Sequence, residues 1–188
     1  MDEISYEEFG ANFVAHVVTP ERVGETIARL AGDEIAVGPM EAGPGGAASV
    51  MATGRVGAIR PQVNLKRERL SFDAVIPIEL HLDVRLAGVS HRFSGRIEVP
   101  LRLDVRAVAP VMLMIDVEPI TSDDVRVSLE AEGLRSRILQ RIGDVDEEVR
   151  RAVADMVNER LNSPAAIEAR EYDILGYVEQ SFGGPSPR

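Results

Sequence analysis

Three histidines, one acidic cluster and one glycine-rich loop are the residues of this chain that could do polar chemistry. His81 stands on the charged side of an alternating stretch and His91 in a turn, with His16 nearer the N-terminus. None belongs to a recognisable metal-ligand motif, so His81 and His91 read as solvated surface. "DVEPITSDD" gathers Asp116, Glu118, Asp123 and Asp124. It lacks the glycine and closing glutamate of a calcium loop, and a turn between strands is the better reading. "GPMEAGPGG" is followed by no Lys-Ser/Thr pair and opens no helix, which argues against a phosphate cradle. Cysteine is absent, so thiol nucleophiles, disulfides and zinc–cysteine sites are excluded. No Gly-x-Ser-x-Gly occurs either. No catalytic residue, metal site or cofactor is assigned.

Charge narrows the partners. With 31 acids against 21 bases, a net charge of −10 opposes a nucleic-acid surface and electrostatic docking on anionic lipid. Arg85, Arg92, Arg96, Arg102 and Arg106 line one face, but Glu79, Asp83, Glu98 and Asp104 are interleaved with them. Cross-strand ion pairing explains that pattern better than phosphate binding.

The remaining chemistry is apolar. Met112 and Met114, with Val111, Leu113 and Ile115, make a strand apolar on both faces. Such a strand is covered on both sides as core, or offers a hydrophobic pocket or dimer interface. Flexible thioethers suit ligands of variable shape.

The elements that must position these residues follow from periodicity. Ser5 and Glu8 fit a capping box, and Phe9, Phe13 and Val17 recur every four residues, although "NFVAHVV" also reads as a strand. "TPERVGETIARLAG" is a helix with Thr19 as N-cap, Pro20 first, Val23, Ile27 and Leu30 as its stripe, and Gly32 as its stop. "EIAVGPM" and "AASVMATGRVGAI" read as strands joined by "EAGPGG". In 70–86 every even position is apolar, and in 93–105 the apolar residues fall on odd positions. Joined by "AGVSH", these make a long antiparallel hairpin with one dry face. "VMLMIDVE" and "DDVRVSLEAE" add strands. From Leu134 the period turns helical, and Asp144 with Glu147 caps a helix over 144–161. Asp146–Arg150 and Glu147–Arg151 are spaced as ion pairs on it. A strand-like "REYDI" and a last helical turn follow. The expected layout is one α+β domain over 1–182 and a disordered tail over 183–188.

Seventeen extended residues reach roughly 55 Å at about 3.3 Å each. A compact chain of 188 residues is only about 40 Å across. The hairpin must therefore coil, break at a bulge near Pro77 or Gly95, or belong to an elongated domain. A curved antiparallel sheet wrapped on the C-terminal helix, with an N-terminal helix beside it, satisfies both apolar faces.

This order of elements, from "TPERVGETIARLAG" through the alternating strands to "DEEVRRAVADMVNERL" and "AREYDI", resembles the tubular lipid-binding (TULIP) superfamily. Within it the likeness is to the actinobacterial DUF2993-like proteins and the synaptotagmin-like mitochondrial lipid-binding domains. The resemblance covers about residues 19–178 and rests on pattern rather than a diagnostic motif. It implies a coiled sheet enclosing an apolar groove for lipid chains, and supplies no catalytic residues. The helix-grip (START-like) fold is the rival architecture.

The expected function is non-enzymatic binding or carriage of a lipid or other long hydrophobic ligand between sheet and helix. Its expected lining is Ile76, Ile78, Leu80, Leu82, Ile97, Val99, Leu101, Met112, Met114, Val149, Val153 and Met156. The alternatives are a homodimeric interaction module using the apolar sheet surface and a helix-grip enzyme with polar groups in its pocket. The acidic N-terminus lacks a signal-peptide pattern and no apolar run is long enough to span a bilayer, so a cytoplasmic protein without stable membrane insertion is expected.

Overall fold

The computed structural model describes residues 2–42, 44–66, 69–130 and 145–182. Helix α1 (Tyr6–Val17) starts where the capping box predicts: Ser5 Oγ accepts from the Glu8 N–H, and the Glu8 carboxylate accepts from the Ser5 N–H. Phe9 and Phe13 stack at 6.3 Å, which is the i,i+4 contact that a helix makes and a strand does not. No residue of α1 is buried. Helix α2 (Pro20–Ala31) begins with Thr19 Oγ1 accepting from the Arg22 N–H and stops at Gly32, whose φ is 71°. That angle suits glycine. Val23, Gly24 and Ile27 turn inward.

Among the described residues, eight antiparallel strands form one sheet: β1 (Glu34–Ala42), β2 (Ala48–Val56), β3 (Gln62–Lys66), β4 (Arg69–Leu86), β5 (Val89–Val108), β6 (Met112–Val117), β7 (Arg126–Glu130) and β8 (Glu171–Asp173). Its spine is the β4–β5 hairpin, turned by Ala87 and Gly88 at φ 49° and 83°. Two positive φ values are what a tight hairpin needs to match strand twist. Pairing runs from Leu70↔Val105 to Leu86↔Val89 without a shift in register. The expected bulge at Pro77 or Gly95 is therefore absent from this ladder, and an irregularity falls instead between Val37 and Met40, where β1 pairs β2.

The long strands are accommodated by curling and by splitting the sheet's flanks. One edge of β4 is covered by β2 from Ile78 to Leu86 and by β3 from Arg69 to Asp73. The outer edge of β5 is covered by β7 from Ser94 to Glu98 and by β6 from Leu103 to Val108. Both gaps fall at one level, because Ala74 pairs with Leu101 and Pro77 with Glu98. Two prolines sit there for a reason. The Gly57 N–H donates to the Pro77 carbonyl, so residue 77 aims its backbone away from β5. Pairing type repeats every two residues, so Pro100, opposite Val75, also aims outward, like Arg102, whose carbonyl accepts from the Glu118 N–H. Each missing N–H thus faces the end of a flanking strand rather than a ladder partner.

Helix α3 (Val145–Leu161) lies in the concave side. Strands β1 and β7, at opposite sides of the same half of the sheet, both touch it. The result is a strongly curled half-barrel around a helix. The even-numbered side chains of β4 from Leu70 to Val84 are buried with Phe93, Ile97, Val99, Leu101 and Leu103 of β5. Opposite charges pair on the wet face: Arg92 with Asp83 at 3.2 Å, Arg102 with Asp73 at 3.4 Å, and Arg106 with Asp116. On α3, Arg151 reaches Glu148 at 3.0 Å and Glu147 at 3.8 Å, while Arg150 makes no ion pair with Asp146. After α3 come a short helix that the sequence did not announce, α4 (Pro164–Glu168), then β8 and α5 (Ile174–Phe182). The Asp144 cap, the helical period from Leu134 and the 183–188 tail lie outside the described residues.

Candidate functional site

The level at which both sheet flanks are interrupted is also where the interior is incompletely filled. A cavity of about 60 Å³ lies between the sheet, α2 and the C-terminal half of α3. Its floor is Ile76 and Ile78 of β4, Leu101 and Leu103 of β5, and Ile115 and Val117 of β6. Val23, Ile27 and Leu30 of α2 and Met156, Val157 and Leu161 of α3 close it from above. Ile35, Val56 and Tyr172 also contribute to the wall. Gly54 makes this packing possible, since a Cβ there would lie 2.5 Å from Ile78 Cγ2 and 3.1 Å from Ile35 Cγ1.

No polar or charged residue is buried among the described residues. Tyr172, Arg160 and Arg170 are the titratable side chains on the cavity's lining, which includes no Asp, Glu, His or Lys among the described residues. His81 lies on the exposed face opposite Ser94. Asp124 closes a turn by accepting from the Thr121 N–H and hydroxyl at 2.8 and 2.7 Å, which holds its carboxyl below the ordinary value. Among the described residues no three His, Asp or Glu side chains gather as a metal site.

Of the expected lining residues, the structure brings Ile76, Ile78, Leu101 and Met156 together around the cavity. Leu80, Leu82, Ile97, Val99, Val149 and Val153 are each at most 2% exposed, in close-packed core away from the cavity wall. Met112 and Met114 are half-buried, and alternation puts them on the opposite face from the buried Leu113 and Ile115. The α2 stripe and Tyr172 were absent from the expected set. The stripe at 23, 27 and 30 was visible in the sequence, but its spacing does not say which part of the sheet it covers.

Two half-buried arginines edge the cavity. Arg160 Nη1 donates to the carbonyl of Ala31, the last residue of α2. Arg170 donates from Nη2 to the Leu161 carbonyl at 2.9 Å and from Nε to the Ala166 carbonyl at 3.1 Å. Carbonyls at helix C-termini attract cations, so these bonds tie α2, α3 and α4 together. Beside the cavity runs a surface groove of about 490 Å³, bounded by Phe13, Val17, Arg22, Ile174 and Val178 among others. Val23 and Tyr172 belong to both walls and form the partition between groove and interior.

No family model and no curated protein matches the chain. Among solved structures it is similar to one described as "Crystal structure of lipopolysaccharide binding protein", at 11% identity and a TM-score of 0.34. The match covers 84% of this chain and 39% of that one, so the chain spans about two fifths of that protein's length. Likeness at this level is loose, and the functional reading rests on the cavity. Among the described residues, no helix is long and apolar enough to cross a membrane.

Proposed function

We propose that the protein is a non-enzymatic binding or carrier protein for a lipid or another long apolar molecule, held between the curled sheet and helices α2 and α3. The observation that supports this reading is the apolar cavity at the interrupted level of the sheet. Protein interiors are normally packed to crystal density, and a void with an aliphatic lining stays dry and takes apolar guests. At about 60 Å³ the cavity is smaller than the ~150 Å³ that admits benzene. A long chain is therefore accommodated by displacement of α2 from the sheet, and the cavity is where that displacement begins. The groove beyond Val23 and Tyr172 provides access. Membership of the tubular lipid-binding superfamily, to which the order of elements points, belongs to the same proposal.

The test is organic extraction of the purified protein followed by lipid mass spectrometry, together with titration of a fluorescent fatty acid. A co-purified amphiphile or saturable uptake at one chain per protein is the expected result. A clean extract with no uptake of the fluorescent chain overturns the proposal.

A further inference from the structure

The cavity's edge carries a charge that runs against the composition. The chain has 31 acids and 21 bases, yet Arg160 and Arg170 line the cavity with no carboxylate among its lining residues. The adjoining groove adds Arg22, again without an acid. On the outer surface, Arg92, Arg102, Arg106, Arg126 and Arg151 have carboxylate partners, and Arg55, Arg60, Arg85 and Arg96, which have none among the described residues, are exposed to water. Arg160 and Arg170 are less exposed than these and have none among the described residues. The acid within electrostatic reach of Arg170 is Asp116, whose carboxylate is already taken by Arg106.

A guanidinium withdrawn partly from water without a counter-ion is destabilising unless its donors are satisfied. Backbone carbonyls satisfy some of them: one nitrogen of Arg160, and Nε and Nη2 of Arg170. Arginine has five N–H donors in a planar fork suited to an oxyanion, so further donors remain on both side chains, and none of them is buried without a partner. Arg170 reaches the carbonyl of Leu161, the residue after Arg160, which places the two at one end of the same apolar wall.

We infer that the ligand is a single-chain anionic amphiphile, whose tail enters the cavity while its oxyanion head pairs with Arg160 and Arg170. This rests on the carrier reading and adds the head-group class to it. A neutral head would leave the arginines without a counter-ion, and a cationic head would be repelled by them.

Calorimetric titration of the full chain with hexadecanoate, hexadecyl phosphate, hexadecanol and hexadecylamine, each below its aggregation concentration, separates the two claims. The expected result is one-to-one binding of one or both anions, at least tenfold tighter than the alcohol or amine. Binding of hexadecanoate alone identifies a carboxylate head, and binding of hexadecyl phosphate alone a phosphate head. Arg160→Gln and Arg170→Gln are expected to reduce the preference for the anion, and Arg160→Lys to retain most of it. Equal binding of alcohol and anion overturns the head-group inference and leaves the carrier reading standing. Failure of all four chains overturns both. Because both arginines also hold helix ends, the variants are checked by circular dichroism, and the head-group series on the unaltered chain decides the matter if they unfold.

Discussion

Asn158 pairs with the backbone of Ile120 through both of its amide groups. The Ile120 N–H donates to Asn158 Oδ1 at 2.9 Å, and Asn158 Nδ2 donates to the Ile120 carbonyl at 2.7 Å. The side chain thus acts as a peptide group, pinning α3 to the segment where the chain crosses from β6 to β7. Residue 158 follows Met156 and Val157 of the cavity wall, so the same bond fixes the height of that wall above the sheet.

Asn158→Leu removes both bonds and leaves two backbone groups of Ile120 without partners. Denaturant unfolding is expected to show a loss of about 1–3 kcal/mol. Asn158→Asp is expected to be damaging too, because its carboxylate faces the Ile120 carbonyl where Nδ2 donated. A loss below a few tenths of a kcal/mol in both variants would show that the pairing does not hold the helix.

Gly54→Ala inserts a methyl group 2.5 Å from Ile78 Cγ2, with Ile35 Cγ1 and the Glu79 carbonyl also crowded. A β-branched neighbour has little freedom to yield, so a cost of about 1–3 kcal/mol is expected. The displaced side chains both line the cavity, and uptake of an apolar chain should weaken along with the melting temperature.

Val157→Phe does the opposite at the same site. It directs an aromatic ring toward a void of about 60 Å³. Filling a void avoids most of the strain of overpacking, which otherwise costs about 1–3 kcal/mol. The melting temperature is expected to hold or rise while chain binding falls at least tenfold. Undiminished binding would place the ligand elsewhere.

The Arg106–Asp116 pair gives a pH signature of known sign. The hydrogen bond from Arg106 holds the Asp116 carboxyl below its ordinary value of 3.8. A carboxyl whose pKa falls on folding contributes stability above that ordinary value and loses it as the pH drops through the folded one. Both side chains are about half exposed, so solvent screening limits the contribution to under about 1 kcal/mol. Asp116→Asn should be slightly less stable than the unaltered chain at pH 7 and indistinguishable from it once the pH is well below 3.8. Molar salt should shrink the difference at pH 7.

Local patterns carried much of this fold. Alternation over 70–86 and 93–105 predicts β4 and β5, and Thr19, Pro20 and Gly32 mark the ends of α2, because each signal is written in neighbouring residues. The split flanks were not legible. That β2 and β3 share one edge of β4 is a matter of long-range pairing, and "QVNLK" carries too short a pattern to announce β3. Pro77 read as a break because a missing N–H is costly inside a ladder, yet residue 77 faces the end of β2 and keeps its strand intact. The cavity was half legible for the same reason. Ile76, Ile78, Leu101 and Met156 follow from apolar faces, but alternation alone does not distinguish them from the close-packed Leu80 or Val153. Which apolar residues border a void depends on how α2 lies across the sheet.

Methyl NMR during titration with hexadecanoate and, separately, with hexadecyl phosphate tests the central claim most directly. Ile27, Ile76, Ile78 and Ile115 line the cavity, whereas Ile97 is fully buried elsewhere in the core and Ile4 and Ile167 are exposed. The carrier reading predicts that one or both produce saturable shifts of the cavity methyls at one chain per protein, with Ile97, Ile4 and Ile167 little changed. Shifts confined to Ile4 and Ile167, or no shifts at all, in both titrations would contradict it.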